Sequence, residues 1–132
     1  INILQATFKS MHNSIRNILQ SKPIDKKIEK LLVDGNNFKP YTYLDNNHIT
    51  QLNHICIEGG DNKYSSIAAA SILAKVERDK YIEELCEKNP ELEEKYGILK
   101  NKGYGTRKHI DGIKQYGITD FHRKTYGLCK NY

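Results

Sequence analysis

A chain of 132 residues with 28% charged and 38% hydrophobic side chains is one domain at most, and large enough to bury a core rather than stay disordered. No apolar run approaches the roughly 20 residues that span a bilayer, and no charged segment followed by an apolar stretch and a cleavage site marks the chain for export. Three widely spaced cysteines, Cys56, Cys86 and Cys129, come without a Cys-x-x-Cys or His-x-His pairing. They argue against a zinc site or a disulfide framework, and the expectation is a cytoplasmic protein with reduced thiols.

In chain order, residues 2–19 carry Ile3/Leu4, Phe8, Met11, Ile15 and Ile18/Leu19 at three- and four-residue steps, the period of an amphipathic helix. Ser21-Lys22-Pro23 ends it. Residues 28–33 form a short apolar run stopped by Asp34-Gly35-Asn36-Asn37, which reads as a buried strand and a turn. Residues 36–52 read as a loop with at most a short strand. Residues 54–58 are a second strand candidate, closed by Gly59-Gly60-Asp61. Two apolar runs therefore end alike, with an aspartate beside glycine.

An alanine-rich helix follows from about Ser65 to Lys88, extending roughly 36 Å at about 1.5 Å per residue, with Ser65 or Ser66 as its cap. Small residues at 68–71 and 74 allow it to pack closely on a sheet. Asn89-Pro90 breaks it, and Pro90 suits the first turn of a short helix over 91–96. Residues 97–105 read as loop. Thr106 is placed to cap a helix running to Gln115, with Gly117 as its stop. The tail, 118–132, shows no clear period.

Net charge is +5, and its distribution says more than its sum. Residues 97–132 hold eight Lys or Arg against Asp111 and Asp120, so that segment is +6 while the rest is close to neutral. Tyr104, Tyr116, Tyr126, Tyr132, His109 and His122 are interleaved with those cations. Such a face suits a polyanion; a solubilising surface explains the charge equally well.

Asp34 and Asp61 are the sharp pair. If the two strands lie parallel and adjacent, both carboxylates emerge at one sheet edge, where open α/β sheets bind ligands. Two close carboxylates repel unless a cation sits between them, and hard oxygen ligands favour Mg²⁺ or Mn²⁺. The plainer alternative is a turn dipeptide at Asp34 and a helix cap at Asp61. Lys102-Gly103-Tyr104-Gly105-Thr106 brackets a tyrosine with glycines, which suits stacking on a sugar or base, or else is an ordinary turn. Lys75 and Arg78 share a helix face and can meet phosphate, although a Lys75–Asp79 pair is as simple an explanation. Phe121-His122-Arg123-Lys124 is either a phosphate contact or a docked tail. His109, alone on a helix, reads as structural.

Taken together, these residues resemble the type 2 ribonucleases H, above all bacterial ribonuclease HII. The matching stretches are Ile1 to Thr7, Val33-Asp34-Gly35-Asn36, Gly59-Gly60-Asp61, the run from Ser66 to Val76, Arg78-Asp79, Lys102 to Thr106 with His109, and His122-Arg123. They follow the family's order, and the Ala-Ala-Ala-Ser run continuing into Ala-Lys-Val is highly specific.

The resemblance implies an α/β, RNase H-like fold with a helical C-terminal part. It also implies metal-dependent cleavage of RNA in RNA–DNA hybrids and on the 5′ side of ribonucleotides embedded in duplex DNA. Carried over by position, Asp34 and Asp61 are two of four metal-binding carboxylates, serving Mg²⁺ or Mn²⁺. Tyr104 is the tyrosine that senses the ribose 2′-OH at the RNA-to-DNA junction. Lys75, Arg78, Lys102 and Arg123 are the expected substrate contacts. The family's Asp-Glu pair and Gly-Arg-Gly stretch have no counterpart in these 132 residues. Residues 1–132 therefore read as the C-terminal portion of one catalytic domain, with the first strands absent, and are expected to be inactive alone. Free strand edges would then invite pairing with another chain. Two alternatives stand beside that expectation: a non-catalytic nucleic-acid-binding fragment, and the related ribonuclease HIII.

Overall fold

The computed structural model describes residues 2–21 and 28–132. Ile1, Lys22 and Pro23, which entered the resemblance and the first helix stop, lie outside the described residues. The chain forms two compact units, one ending at Ser71 and one beginning at Ile72.

In the first unit, α1 (Ile3–Gln20) begins where Asn2 Oδ1 accepts the N–H of Gln5 at 2.9 Å, satisfying one of the donors a helix start leaves free. Its three- and four-residue period buries Phe8 and Ile15 on one side. They pack with Val33, Phe38, Tyr41 and Leu52, and Phe8 meets Phe38 edge-on at 6.3 Å between ring centres. Each such side chain removed from water contributes about 2 kcal/mol.

The two runs that end in aspartate and glycine are β1 (Leu31–Asp34) and β4 (His54–Ile57). They pair in parallel, with Asp34 opposite Ile57, and the N–H of Gly35 continues the ladder to the carbonyl of Ile57 at 3.0 Å.

Between them the structure corrects the expected loop. β2 (Thr42–Asp45) and β3 (His48–Gln51) form an antiparallel hairpin. Its two-residue turn is Asn46-Asn47, with φ of 48° and 64°. Two successive positive φ values match the right-handed twist of the flanking strands, and asparagine tolerates them. The strands escape a reading by composition because Leu44 and Ile49 are 72% and 80% exposed, so no buried face imposes the usual alternation.

Gly59-Gly60-Asp61 does not lead directly into the long helix. A short helix, α2 (Gly60–Lys63), intervenes, and α3 (Ser65–Lys88) starts after the extended residue Tyr64. Ser65 is therefore the first helical residue rather than a cap. Ile67 is buried and Ala68 half-buried, but Ala69, Ala70, Ser71 and Ala74 are exposed, so the close packing of this turn on a sheet is not found. A two-stranded sheet offers a face only about 10 Å wide, too narrow to cover it.

In the second unit, Ile72 and Leu73 of α3 are 64% and 66% exposed. The core is built later, from Cys86, Leu92, Tyr96, Ile98, Ile113 and Cys129. Pro90 precedes α4 (Glu91–Tyr96), as expected. The segment expected to be loop contains α5 (Ile98–Asn101), a single turn whose last residue is buried because Asn101 Nδ2 donates to the carbonyl of Tyr96 at 2.7 Å. α6 (Arg107–Tyr116) follows Thr106, whose side chain makes no capping bond, and ends at Gly117. α4 and α6 cross at Gly112, where an added Cβ would collide with the carbonyl oxygen of Lys95. The tail closes in a 3₁₀ turn over Gly127–Asn131 that buries Cys129.

Candidate functional site

The parallel pairing of β1 and β4 is what makes Asp34 and Asp61 neighbours. Asp34 is the last residue of β1, and four residues after the end of β4 the chain enters α2 with Asp61 in its first turn. The two segments are tied directly: Asp34 Oδ1 accepts the N–H of Gly60 at 2.9 Å. Gly60 is buried, and a Cβ there would stand 2.7 Å from Ile67 Cδ1 and 3.3 Å from Asp34 Oδ1. A larger residue there would have to push the end of Ile67 aside. Both carboxylates are exposed, so neither is sealed away by the fold.

Asp34 and Asp61 offer oxygen donors alone, which suits a hard divalent cation such as Mg²⁺ or Mn²⁺ that keeps several waters. Among the described residues, no group of three or more His, Cys, Asp or Glu side chains gathers as a metal cluster. One of Asp34's lone pairs is spent on Gly60, and its other oxygen is free to bind.

The second unit brings Arg78 and Lys102, of the remaining expected residues, to the loop that holds Tyr104. Arg78 of α3 donates from Nη2 to the carbonyl of Lys102, and its guanidinium lies 5.6 Å from the centre of the Tyr104 ring. Arg78 Nη1 is also 3.6 Å from Asp79 Oδ1. Arg78 therefore props the loop as well as presenting a cation beside it. Lys102 is similarly engaged, its Nζ donating to Glu83 Oε1 at 2.9 Å. Tyr104 is 71% exposed. Lys75 and Arg123 are exposed, and neither is drawn into the loop's hydrogen bonds.

Composition pointed to the basic aromatic C-terminal segment without separating its members, and the structure does. Tyr96 is almost fully buried, and burial followed by the charge of Glu91 pushes its phenol up. His109 is buried too, its Nδ1 standing 3.0 Å from the Tyr104 carbonyl and its Nε2 3.2 Å from His122 Nε2. His122 is thus docked, and burial, then the charge of His109, lowers its pKa against a smaller opposing effect of the Thr119 backbone. Thr119 was missed by sequence reasoning. The signal was its spacing three residues before His122, the reach of a local side-chain turn.

A family model described as Ribonuclease HII matches residues 2–129. The chain belongs to the ribonuclease HII family. Of the two related types considered from the sequence, HII and HIII, the match is to the first. The ribonuclease HII of Christiangramia forsetii is 44% identical over 128 residues, which are 97% of this chain and 56% of that protein. That of Parabacteroides distasonis is 45% identical over 128 residues, 97% of this chain and 55% of the relative. That of Francisella tularensis subsp. novicida is 41% identical over 126 residues, 96% and 58% respectively. The chain spans about half the length of the curated relatives it matches. The mixed α/β architecture agrees with the RNase H-like fold of the ribonuclease HII family. Among the described residues no helix is long and apolar enough to cross a membrane.

Proposed function

We propose that this chain carries part of the active site of a ribonuclease H that hydrolyses RNA in RNA–DNA hybrids and cuts on the 5′ side of ribonucleotides embedded in duplex DNA. The observation that carries the reading is the hydrogen bond from Gly60 to Asp34, which brings two carboxylate-bearing segments to the carboxyl edge of a parallel strand pair. Asp34 and Asp61 would hold Mg²⁺ or Mn²⁺. When bound, such ions activate water and stabilise charge on the oxygens of a scissile phosphate. Asp34 orients one carboxylate oxygen toward Gly60 and leaves the other for binding. Asp61 stands exposed at the start of α2.

Tyr104 would stack beside the ribose whose 2′-OH separates RNA from DNA. Arg78 steadies that ring and, with Lys75, Lys102 and Arg123, adds positive charge for the phosphate backbone. These contacts position a nucleic acid; the carboxylates supply the metal chemistry. Two carboxylates are half of the four that the resemblance implies, so the 132 residues by themselves would bind without cutting.

The test supplies the other ligands. The N-terminal segment of the Christiangramia forsetii ribonuclease HII is joined ahead of this chain, and cleavage of a duplex with a single ribonucleotide is measured with Mg²⁺ or Mn²⁺. Cleavage is expected, and Asp34→Asn or Asp61→Asn should lower it by about 10²-fold or more, the loss of a group worth several kcal/mol. Unchanged cleavage in those variants sinks the metal roles. Tyr104→Ala should reduce cutting at a single ribonucleotide more than in a continuous hybrid. A joined enzyme that binds the duplex and never cuts supports a non-catalytic module instead.

A further inference from the structure

Buried His109 and half-buried His122 form a titratable pair to which the function above gives no part. Their protonation can be worked out from their partners. A carbonyl oxygen only accepts, so His109 Nδ1, 3.0 Å from the Tyr104 carbonyl, must carry a proton. A neutral His109 then presents Nε2 as an acceptor, and His122 must donate to it from its own Nε2. That leaves His122 Nδ1 without a proton. Thr119 requires the same thing independently, because its backbone N–H points at His122 Nδ1 at 3.0 Å and its hydroxyl lies 2.8 Å away. Two separate constraints agree on two neutral rings in opposite tautomers.

A second proton on either ring breaks this chain. On His109 it sets one Nε2–H against another; on His122 it sets Nδ1–H against the Thr119 N–H. Around the pair stand the Tyr96 ring of α4, 4.8 Å from His122 and 6.2 Å from His109, the Tyr104 carbonyl of the loop, and Thr119 of the tail. Among the described residues, no carboxylate forms an ion pair with either imidazole. Arg78 stands 5.6 Å from the Tyr104 ring. Nothing in this setting favours a charged histidine, in line with the lowered pKa of His122.

We propose that His109 and His122 are positioning residues: as a neutral pair they hold the Tyr104 carbonyl, and thereby the exposed Tyr104 ring, in place for a ribose, and protonation, which sets two Nε2–H groups against each other and forces the rings apart, draws His109 from that carbonyl and releases the loop. The role toward a ribose rests on the function proposed above; the hold on the loop does not. The Tyr104 carbonyl also accepts the N–H of Thr106 at 2.8 Å, so His109 is its second donor.

The experiment uses the chain labelled with ¹⁵N in its imidazoles and amides. At pH ~7.5, above the free-histidine value, the Nδ1–H tautomer of His109 and the Nε2–H tautomer of His122 are expected. As the pair gains protons, hydrogen exchange at Tyr104 and Thr106 should accelerate about fivefold to tenfold beyond the intrinsic pH effect, the loss of roughly one hydrogen bond. The opposite tautomers, or unchanged protection, overturn the proposal.

His109→Asn keeps a donor near the Nδ1 position, whereas the isosteric His109→Leu does not. Asn should preserve protection of the loop at both pH values and Leu should lose it at both; equal behaviour overturns the proposal. Should Leu fail to fold, the unsubstituted chain's titration still decides. The ratio of affinities for a duplex with one ribonucleotide over an all-DNA duplex should fall about fivefold on acidification and stay level in His109→Asn. If neither duplex is bound at any pH, the proposed function fails, while the tautomers and exchange rates still decide the hold on the loop.

Discussion

Asp34 Oδ1 and the N–H of Gly60 lie 2.9 Å apart, so the carboxylate expected to bind metal is also the one that fixes the entry to α2. A structural duty and the proposed metal-binding one therefore fall on one side chain. Asp61 carries no such duty, being exposed in the first turn of α2.

Substitution should separate the two duties. Asp34→Asn retains an oxygen for Gly60 and should leave stability nearly unchanged, whereas Asp34→Ala leaves that N–H without its partner and should cost about 1–2 kcal/mol. Asp61→Asn and Asp61→Ala should both stay within about 0.5 kcal/mol. Urea unfolding of the chain measures all four. In the unsubstituted chain, added Mn²⁺ should broaden the amide signals of Asp34 and Asp61; both Asn variants should abolish that broadening.

Two glycines are held by contact rather than by composition. An alanine at Gly112 drives a methyl group into the carbonyl of Lys95, and backbone cannot yield as a side chain can. Gly112→Ala is expected to destabilise the chain by about 3 kcal/mol. Gly60→Ala meets the end of Ile67 at 2.7 Å and should cost less, about 1–2 kcal/mol. A reversed order in thermal melts would contradict the α4–α6 crossing described above.

Stability should depend on pH through His122. Its pKa lies below the 6.5 of an ordinary imidazole, chiefly because burial disfavours the charged ring. Between that lowered value and 6.5 the unfolded chain binds more protons than the folded one. The contribution of neutral His122 is complete above about 6.5 and is lost as pH falls through the folded value. Melting temperatures between pH ~7.5 and ~5 should fall more steeply for the unsubstituted chain than for His122→Asn, which cannot gain a proton. Equal slopes would assign the dependence to other groups.

The cysteines should differ in reactivity. Cys86 and Cys129 are 6% and 8% exposed, and burial, then the charge of Glu93, pushes the Cys86 thiol up against a smaller pull from Lys102. Cys56 is half-buried in β4. Iodoacetamide at pH ~8 should modify Cys86 at least about tenfold more slowly than Cys56, because the thiolate is the reacting species and needs access. Comparable rates would mean that the second core opens far more often than its packing allows.

Periodicity and punctuation carried much of the fold. The helix over residues 2–19 appears as α1, the two apolar runs as β1 and β4, and the helix after Pro90 as α4, because local propensity and a buried stripe agreed there. The hairpin was illegible because Leu44 and Ile49 are exposed and its inner face only half-buries Tyr43 and Thr50, and α2 and α5 were illegible because a single turn leaves no period to detect. At the site, the types and order of Asp34, Asp61 and Tyr104 were visible in the chain. That Arg78 supports the Tyr104 loop was not, since its partner in that contact, the Lys102 carbonyl, is backbone and lies 24 residues away.

The sequence by itself determined which chemistry was available: oxygen ligands at two strand ends, a glycine-bracketed tyrosine and a basic aromatic C-terminal segment. It determined these because residue type and short-range spacing are properties of the chain alone. The tertiary structure alone decided which groups meet. The parallel register of β1 and β4 brings Asp34 to Gly60 across 26 residues, and the packing of the tail brings His122 to His109. Both contacts depend on long-range burial, which no local pattern encodes, and burial is what lowers the pKa of His122 beside His109.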